Sequence, residues 1–270
     1  APGPVTAIFA GLLTKVGVYA IIRTQTLMFP PGEGGANWGD DVLLWVAAAT
    51  MIVGVIGAIA QDDMKRILAF HIISQIGYMI MGLGLFTVVG VAAAVFYVIH
   101  HIVVKTALFL VAGLVDHRAG SSRLSSVGGL VRSAPVIAAL FAVPALSLAG
   151  LPPFSGFLAK FALVDAGLSQ GSSAIVTVAL AVGLFTLFSM TKIWTGAFWG
   201  GAETEPERDP QTTDRFGGPP LMVLATLSLV AISISFSIWA GPIHELSQRA
   251  AEDLLNPAGY IRAVLGEAAP

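Results

Sequence analysis

Seven stretches of roughly twenty or more predominantly apolar residues fill most of the sequence, near 4–23, 42–60, 66–86, 88–115, 134–169, 173–199 and 219–241. A bilayer's hydrocarbon core is about 30 Å thick, and a helix needs about 20 apolar residues to cross it. Backbone amides find no water there, so a chain of this pattern has to satisfy them within helices. The sequence therefore predicts an all-α, polytopic transmembrane helical bundle of seven spans. Composition agrees: 56% of the residues are hydrophobic and 11% charged, whereas a water-soluble domain carries about 25% charged residues. Mean hydropathy is +0.83.

The fifth stretch is too long for one straight helix and carries Gly150, Leu151, Pro152 and Pro153 at its middle. Proline removes a backbone donor and clashes with the preceding turn, so a broken helix is expected near 150–156. Residues 242–270 are mixed in polarity and read as an interfacial C-terminal segment beside a transmembrane domain of 1–241. Alternation puts the loops near 61–65, 116–133 and 200–218 on the side where the first span starts. That side carries Lys65, Arg66, Arg118, Arg123, Arg132, Arg208 and Arg215, against Arg23, Arg249 and Arg262 on the other. The excess of basic residues orients it to the cytoplasm. The acids Glu203, Glu205, Glu207, Asp209 and Asp214 read as a solvated connector. The opening Ala1-Pro2-Gly3-Pro4 has no initiator Met and no basic run before the apolar core, unlike a signal peptide. It is expected to belong to a longer chain.

Several chemistries are excluded. With no cysteine in 270 residues, disulfides, thiolate nucleophiles and Cys-ligated metals cannot form. A net charge of -2 offers no field for nucleic acid. No His/Glu set has zinc spacing and no glycine-rich loop follows a strand, so neither a metal nor a cofactor is expected. The pairs Asp40-Asp41 and Asp62-Asp63 lack the further acids at helical spacing that a magnesium-diphosphate site would need.

Three lysines fall deep within spans, Lys15, Lys105 and Lys160, while Lys192 lies near a span's end and is expected to snorkel to the interface. A charge at a helix centre costs a few kcal/mol or more, so such residues face a cavity or a partner. Partners are scarce: among sixteen acids only Asp165 falls within a span, and five residues from Lys160 it lies on another helix face. A buried lysine without a fixed counter-charge can exchange its proton. Tyr97, His101 and Lys105 form one polar stripe at i, i+4, i+8, with His100 about 100° away. His71, Ser74, Gln75 and Tyr78 share another face, which reads equally as helix-helix hydrogen bonding and as a water-lined surface. Lys160 follows the break at Gly150, Pro152 and Pro153 by seven residues. Backbone freed at such a break must face protein or water, which makes this neighbourhood the strongest pointer to an ion path.

Four segments together resemble one family. Ala1-Pro2-Gly3-Pro4-Val5 leading to Lys15-Val16-Gly17-Val18-Tyr19 resembles the eighth helix of the antiporter-like subunits of respiratory complex I and of Mrp multisubunit cation/proton antiporters. Gln61-Asp62-Asp63-Met64-Lys65-Arg66-Ile67-Leu68-Ala69 resembles the start of their tenth helix, and His100-His101-Ile102-Val103-Val104-Lys105-Thr106-Ala107-Leu108-Phe109 their eleventh. Gly150-Leu151-Pro152-Pro153-Phe154-Ser155-Gly156-Phe157-Leu158-Ala159-Lys160-Phe161 resembles the broken twelfth. Within the family, the His-His pair, the lysine in the broken helix and Ser189-Met190-Thr191-Lys192-Ile193-Trp194 most resemble the D subunit of Mrp antiporters. The corresponding complex I protein often has Glu where Lys160 stands, and the family's usual tenth-helix histidine corresponds here to Gln75.

The resemblance implies a fourteen-helix fold with two inverted five-helix repeats, of which this chain resembles helices eight to fourteen. A fifth-helix Glu and a seventh-helix Lys that begin the family's charge relay would lie outside it. The expected function is a transporter subunit, not an enzyme, carrying protons along a hydrated row from Lys15 through His101 and Lys105 to Lys160. His100, His71, Gln75 and Lys65 are secondary candidates. Expected partners are other membrane subunits, H⁺, Na⁺ and the lipid of a bacterial cell (inner) membrane. The alternatives are a proton-pumping subunit of NADH-quinone oxidoreductase or a membrane-bound hydrogenase, and a purely structural subunit whose lysines bind acids on partner helices.

Overall fold

The computed structural model describes residues 3–29, 38–200 and 218–266. Among the described residues, six helices are long and apolar enough to cross a membrane. They are α1 (Gly3–Met28), α2 (Trp38–Ile59), α3 (Met64–Gly84), α4 (Val88–Ala119), then, beyond two shorter helices, α7 (Ser173–Trp199) and α8 (Pro220–Ile238). The fifth apolar stretch folds as α5 (Pro135–Ala149) and α6 (Ser155–Ser169), broken where Gly150 adopts a left-handed conformation with φ +86°. Each half has 15 residues, short of the roughly 20 that one crossing requires. The predicted connector acids lie outside the described residues, as do Arg208 and Arg215.

Two helices contain wide π-type turns, Phe9–Leu13 in α1 and Trp194–Trp199 in α7. Helix α4 occupies the centre, packed by α1, α3, α5, α6, α8 and the C-terminal helix α9 (Ala240–Leu255). The outer helices present Trp45, Val53, Leu184, Phe188, Leu221 and Leu224 outward. An apolar exterior around a polar centre is what a bilayer solvent selects, because lipid accepts the side chains that water would drive inward.

Lipid offers no hydrophobic drive between helices, so close packing depends on small residues. A Cβ at Gly54 would stand 2.3 Å from the Ser74 backbone nitrogen, and one at Gly77 would stand 2.7 Å from the Ala47 carbonyl oxygen. The α2–α3 pair is therefore closed by glycines on both helices.

At the basic face a clasp joins the helix ends. Asp63 caps α3, its Oδ1 accepting from the Arg66 amide at 3.0 Å. It also pairs with Arg123 in an isolated antiparallel bridge, with Met64 N donating to Ser122 O at 2.9 Å and Leu124 N to Asp62 O at 2.9 Å. Lys192, expected to snorkel, reaches this end and finds protein partners. Its Nζ donates to the carbonyls of Ile59 and Gln61 at 3.1 and 2.8 Å and to Asp62 Oδ1 at 2.7 Å.

The glycine packing gives a test. Gly54→Ala drives a methyl group into the α3 backbone and is expected to cost ~1–3 kcal/mol, read as a lowered thermal midpoint of the detergent-purified protein.

Candidate functional site

The three intramembrane lysines are all buried, and each is held by oxygens of the chain rather than by an acid. Lys15 lies two residues beyond the π turn of α1. Its Nζ donates to the Ala10 carbonyl at 2.8 Å, five residues back, and to Thr14 Oγ1 at 3.0 Å. Beside it α1 presses onto α4, since a Cβ at Gly11 would lie 2.0 Å from Thr106 Oγ1. That contact brings Lys15 to the helix that bears the central groups.

On α4 the predicted stripe of Tyr97, His101 and Lys105 is wholly buried. Lys105 Nζ donates to the Leu68 carbonyl of α3 at 3.0 Å. The Tyr97 hydroxyl donates to Gln75 Oε1, and its ring packs against His100 and His101 with centroids 5.6 and 6.0 Å away. Neither ring nitrogen of His101 has a hydrogen-bond partner among the described residues. The α3 face is buried as well: His71 Nε2 pairs with Ser189 Oγ of α7, Ser74 Oγ donates to Met51 O at 3.1 Å, and the Tyr78 hydroxyl donates to Ala179 O.

The break forms the third part. A helix end leaves four carbonyls without intrahelical partners. Here Gly150 N donates to Leu146 O and Ser147 O at 3.1 Å each, and Leu151 N to Leu146 O at 3.2 Å. Lys160 Nζ takes the other two, Leu148 O at 3.0 Å and Ala149 O at 3.2 Å. It also sits 5.0 Å from the centroid of the Tyr78 ring, within cation–π range. Across the gap His100 Nδ1 meets Ser155 Oγ, at the start of α6, at 2.9 Å.

Lys15, Lys105 and Lys160 are all within electrostatic reach of His101, Lys105 is within reach of both other lysines, and His71 is within reach of Lys105 and Lys160. Lys65 stands apart at the basic face, paired with Asp116 at 2.6 Å. Asp165 is exposed on the outer side of α6. Among the described residues no group of three His, Cys, Asp or Glu could hold a metal ion. Sequence reasoning had no account of Ser155 and Ser189 as histidine partners. Ser155 carried a signal, a small polar residue two positions after the Pro-Pro pair where a helix restarts; Ser189 carried none beyond sharing a helix turn with Lys192.

Known proteins resemble this chain in both sequence and fold. The family described as NADH:quinone oxidoreductase/Mrp antiporter, transmembrane, matches residues 1–186. The chain belongs to that family. It is 46% identical over 266 residues to the D subunit of the Na(+)/H(+) antiporter of Alkalihalophilus pseudofirmus, covering 98% of this chain and 52% of that protein. A chain of the Mrp complex from Dietzia sp. superposes with a TM-score of 0.88 at 37% identity, covering 98% of this chain and 56% of that one. A chain of respiratory complex I from Thermus thermophilus gives 0.70 at 26% identity, covering 90% and 50%. The chain thus spans about half the length of the curated relatives it matches.

Replacing a buried charge by a well-packed apolar residue of similar volume is often neutral or stabilising. Lys105→Met is therefore expected to leave the thermal midpoint of the purified protein unchanged or raised. A marked fall would reveal a fixed acidic partner for Lys105.

Proposed function

We propose that these helices carry protons within a subunit of a multisubunit Na⁺(cation)/H⁺ antiporter, along a hydrated row from Lys15 through His101 and Lys105 to Lys160. The observation that carries this reading is the set of three buried lysines with no acidic partner among the described residues, centred on a histidine with both ring nitrogens free. Leaving a buried polar group without a hydrogen bond costs about 1–3 kcal/mol. His71 Nδ1, Gln75 Nε2, His100 Nε2 and both nitrogens of His101 are in that position, and water threaded among them supplies the missing bonds. Protonating one site disfavours charge on its neighbours, so the lysines and histidines titrate as a coupled set.

The chain then works as a transporter subunit rather than an enzyme, in a bacterial cell membrane, beside further membrane subunits, with H⁺ and Na⁺ as its ions. The basic clasp faces the cytoplasm by its excess of Lys and Arg. Helix α9 and the short α10 (Ala258–Leu265) lie along the opposite interface, where Arg23 stacks 4.0 Å from the centroid of the Tyr260 ring and fastens α10 to the end of α1. Membership of a sodium/proton antiporter rather than a respiratory pump is supported by the higher likeness to the antiporter D subunit and to the Mrp complex.

The test is single replacement of Lys15, Lys105 and Lys160 by alanine in the full-length protein, with cation/proton exchange measured in everted membrane vesicles beside complex assembly. Each is expected to reduce exchange at least about tenfold, the scale of one lost proton-transfer group, with assembly intact. Wild-type exchange in all three would sink the relay. Loss of assembly, with the remaining complexes exchanging normally, would make the lysines assembly contacts.

A further inference from the structure

His71 is the buried histidine whose partners fix where its ring hydrogen sits. Its Nε2 meets Ser189 Oγ of α7, and the Ser189 hydroxyl donates in turn to Thr186 O at 3.2 Å, three residues back on the same helix. A hydroxyl has one hydrogen to give and lone pairs with which to accept another. With that hydrogen spent on Thr186 O, Ser189 accepts from Nε2–H. What remains is the Nδ1 lone pair, buried and without a partner among the described residues. The reverse arrangement turns the hydroxyl toward Nε2 and moves the ring hydrogen to Nδ1, where a buried N–H would have no acceptor. Among buried backbone groups a donor left unpaired is rarer than an acceptor left so, and the same preference selects the first arrangement here.

We infer that Ser189 holds His71 as its Nε2–H tautomer, which makes Nδ1 the one nitrogen of this ring that loads and unloads a proton, and makes His71 a proton-holding side site on the row. The inference rests on the transport reading above. Which nitrogen of a histidine carries the proton is set by the hydrogen bond that the other makes. A proton arriving at Nδ1 turns the ring into an imidazolium in which both nitrogens donate. The Ser189 contact therefore serves the neutral and the charged ring alike, and the ring need not turn between them. Passage onward through Nε2 ends at Ser189, whose own hydrogen already lies on a helix carbonyl. The proton leaves by the nitrogen at which it entered. His101 differs: neither of its ring nitrogens has a partner among the described residues, so a proton can enter at one and leave at the other.

The surroundings of His71 give such a site an effect. Lys105 of α4 and Lys160 of α6 are within its electrostatic reach. Of the other helices packed on α3, α2 has no titratable residue after Asp41, α7 brings Ser189 and has its Lys192 tied to Asp62, and α1 has Lys15 held by Ala10 O and Thr14 Oγ1. Loading His71 adds a positive charge that neither ion pair among the described residues offsets, and so disfavours protons on Lys105 and Lys160 together. Emptying it favours them.

Variants of the full-length protein test this, with cation/proton exchange in everted membrane vesicles normalised to assembled complex. His71→Gln keeps an amide near the Nε2 position for Ser189 and removes the proton site; Ser189→Ala removes the contact and keeps the ring. Ser189→Ala is expected to lower exchange about three- to tenfold, the scale of one hydrogen bond, and His71→Gln by at least as much. Ser189→Thr, which retains the hydroxyl, should exchange as the wild type does. In the His71→Gln background Ser189→Ala should cost nothing further, because its effect runs through the ring. The inference is overturned if His71→Gln or Ser189→Ala exchanges at the wild-type rate, if assembled Ser189→Thr exchanges no better than Ser189→Ala, or if Ser189→Ala lowers exchange by the same factor in both backgrounds. Where Ser189→Thr does not assemble, the double variant decides alone. Lost exchange in Lys105→Ala beside wild-type exchange in His71→Gln and Ser189→Ala would strike the side site and leave the row, whereas wild-type exchange in all three lysine variants would strike the row itself.

Discussion

Removing an ammonium group from water costs several kcal/mol even after the protein has relaxed around it, and this bundle does so three times with neutral oxygens as the partners. That single constraint orders the interior. It explains why Lys15 follows a wide turn that offers the Ala10 carbonyl, why Lys105 leans across to Leu68 of the neighbouring helix, and why Lys160 stands beside the break between the two short helices α5 and α6. Each lysine is solvated by backbone that a regular, isolated helix would not present to it. A carboxylate in the same positions would fix the proton on the pair; neutral oxygens stabilise the charge without trapping it.

Much of this was legible in the sequence because a bilayer tolerates few alternatives. The boundaries near 66–86 and 88–115 lie within a few residues of Met64–Gly84 and Val88–Ala119, since long apolar runs have no other fate in lipid. The break at Gly150 was legible too, because Gly and two prolines in succession cannot continue a helix. The stripe of Tyr97, His101 and Lys105 followed from helical periodicity alone. Pairings between distant helices were not. That Ser189 would meet His71 across 118 residues, or Tyr97 meet Gln75 across 22, depends on helix rotation and depth, which a single helix's pattern leaves free. The π turn at Phe9–Leu13 was invisible because its residues, Phe-Ala-Gly-Leu-Leu, suit an ordinary helix equally well. Lys192 was legible as interfacial but not as a partner of Asp62, whose placement depends on the clasp.

Likeness over 98% of the chain establishes the family; it does not say which groups exchange protons. The lysines differ in what holds each one: Lys65 pairs with Asp116 and Lys192 with Asp62, whereas Lys15, Lys105 and Lys160 rest on uncharged atoms.

The clasp at the basic face also limits how such a bundle can move. Lys192 fastens α7 to three oxygens at the end of α2 and the turn that follows, and one turn away on the same helix Ser189 holds His71 of α3. Sliding α7 along its axis would tear both attachments at once. Helices α2, α3 and α7 are therefore tied to one another at this face, whereas α5 and α6 are joined only through residues 150–154.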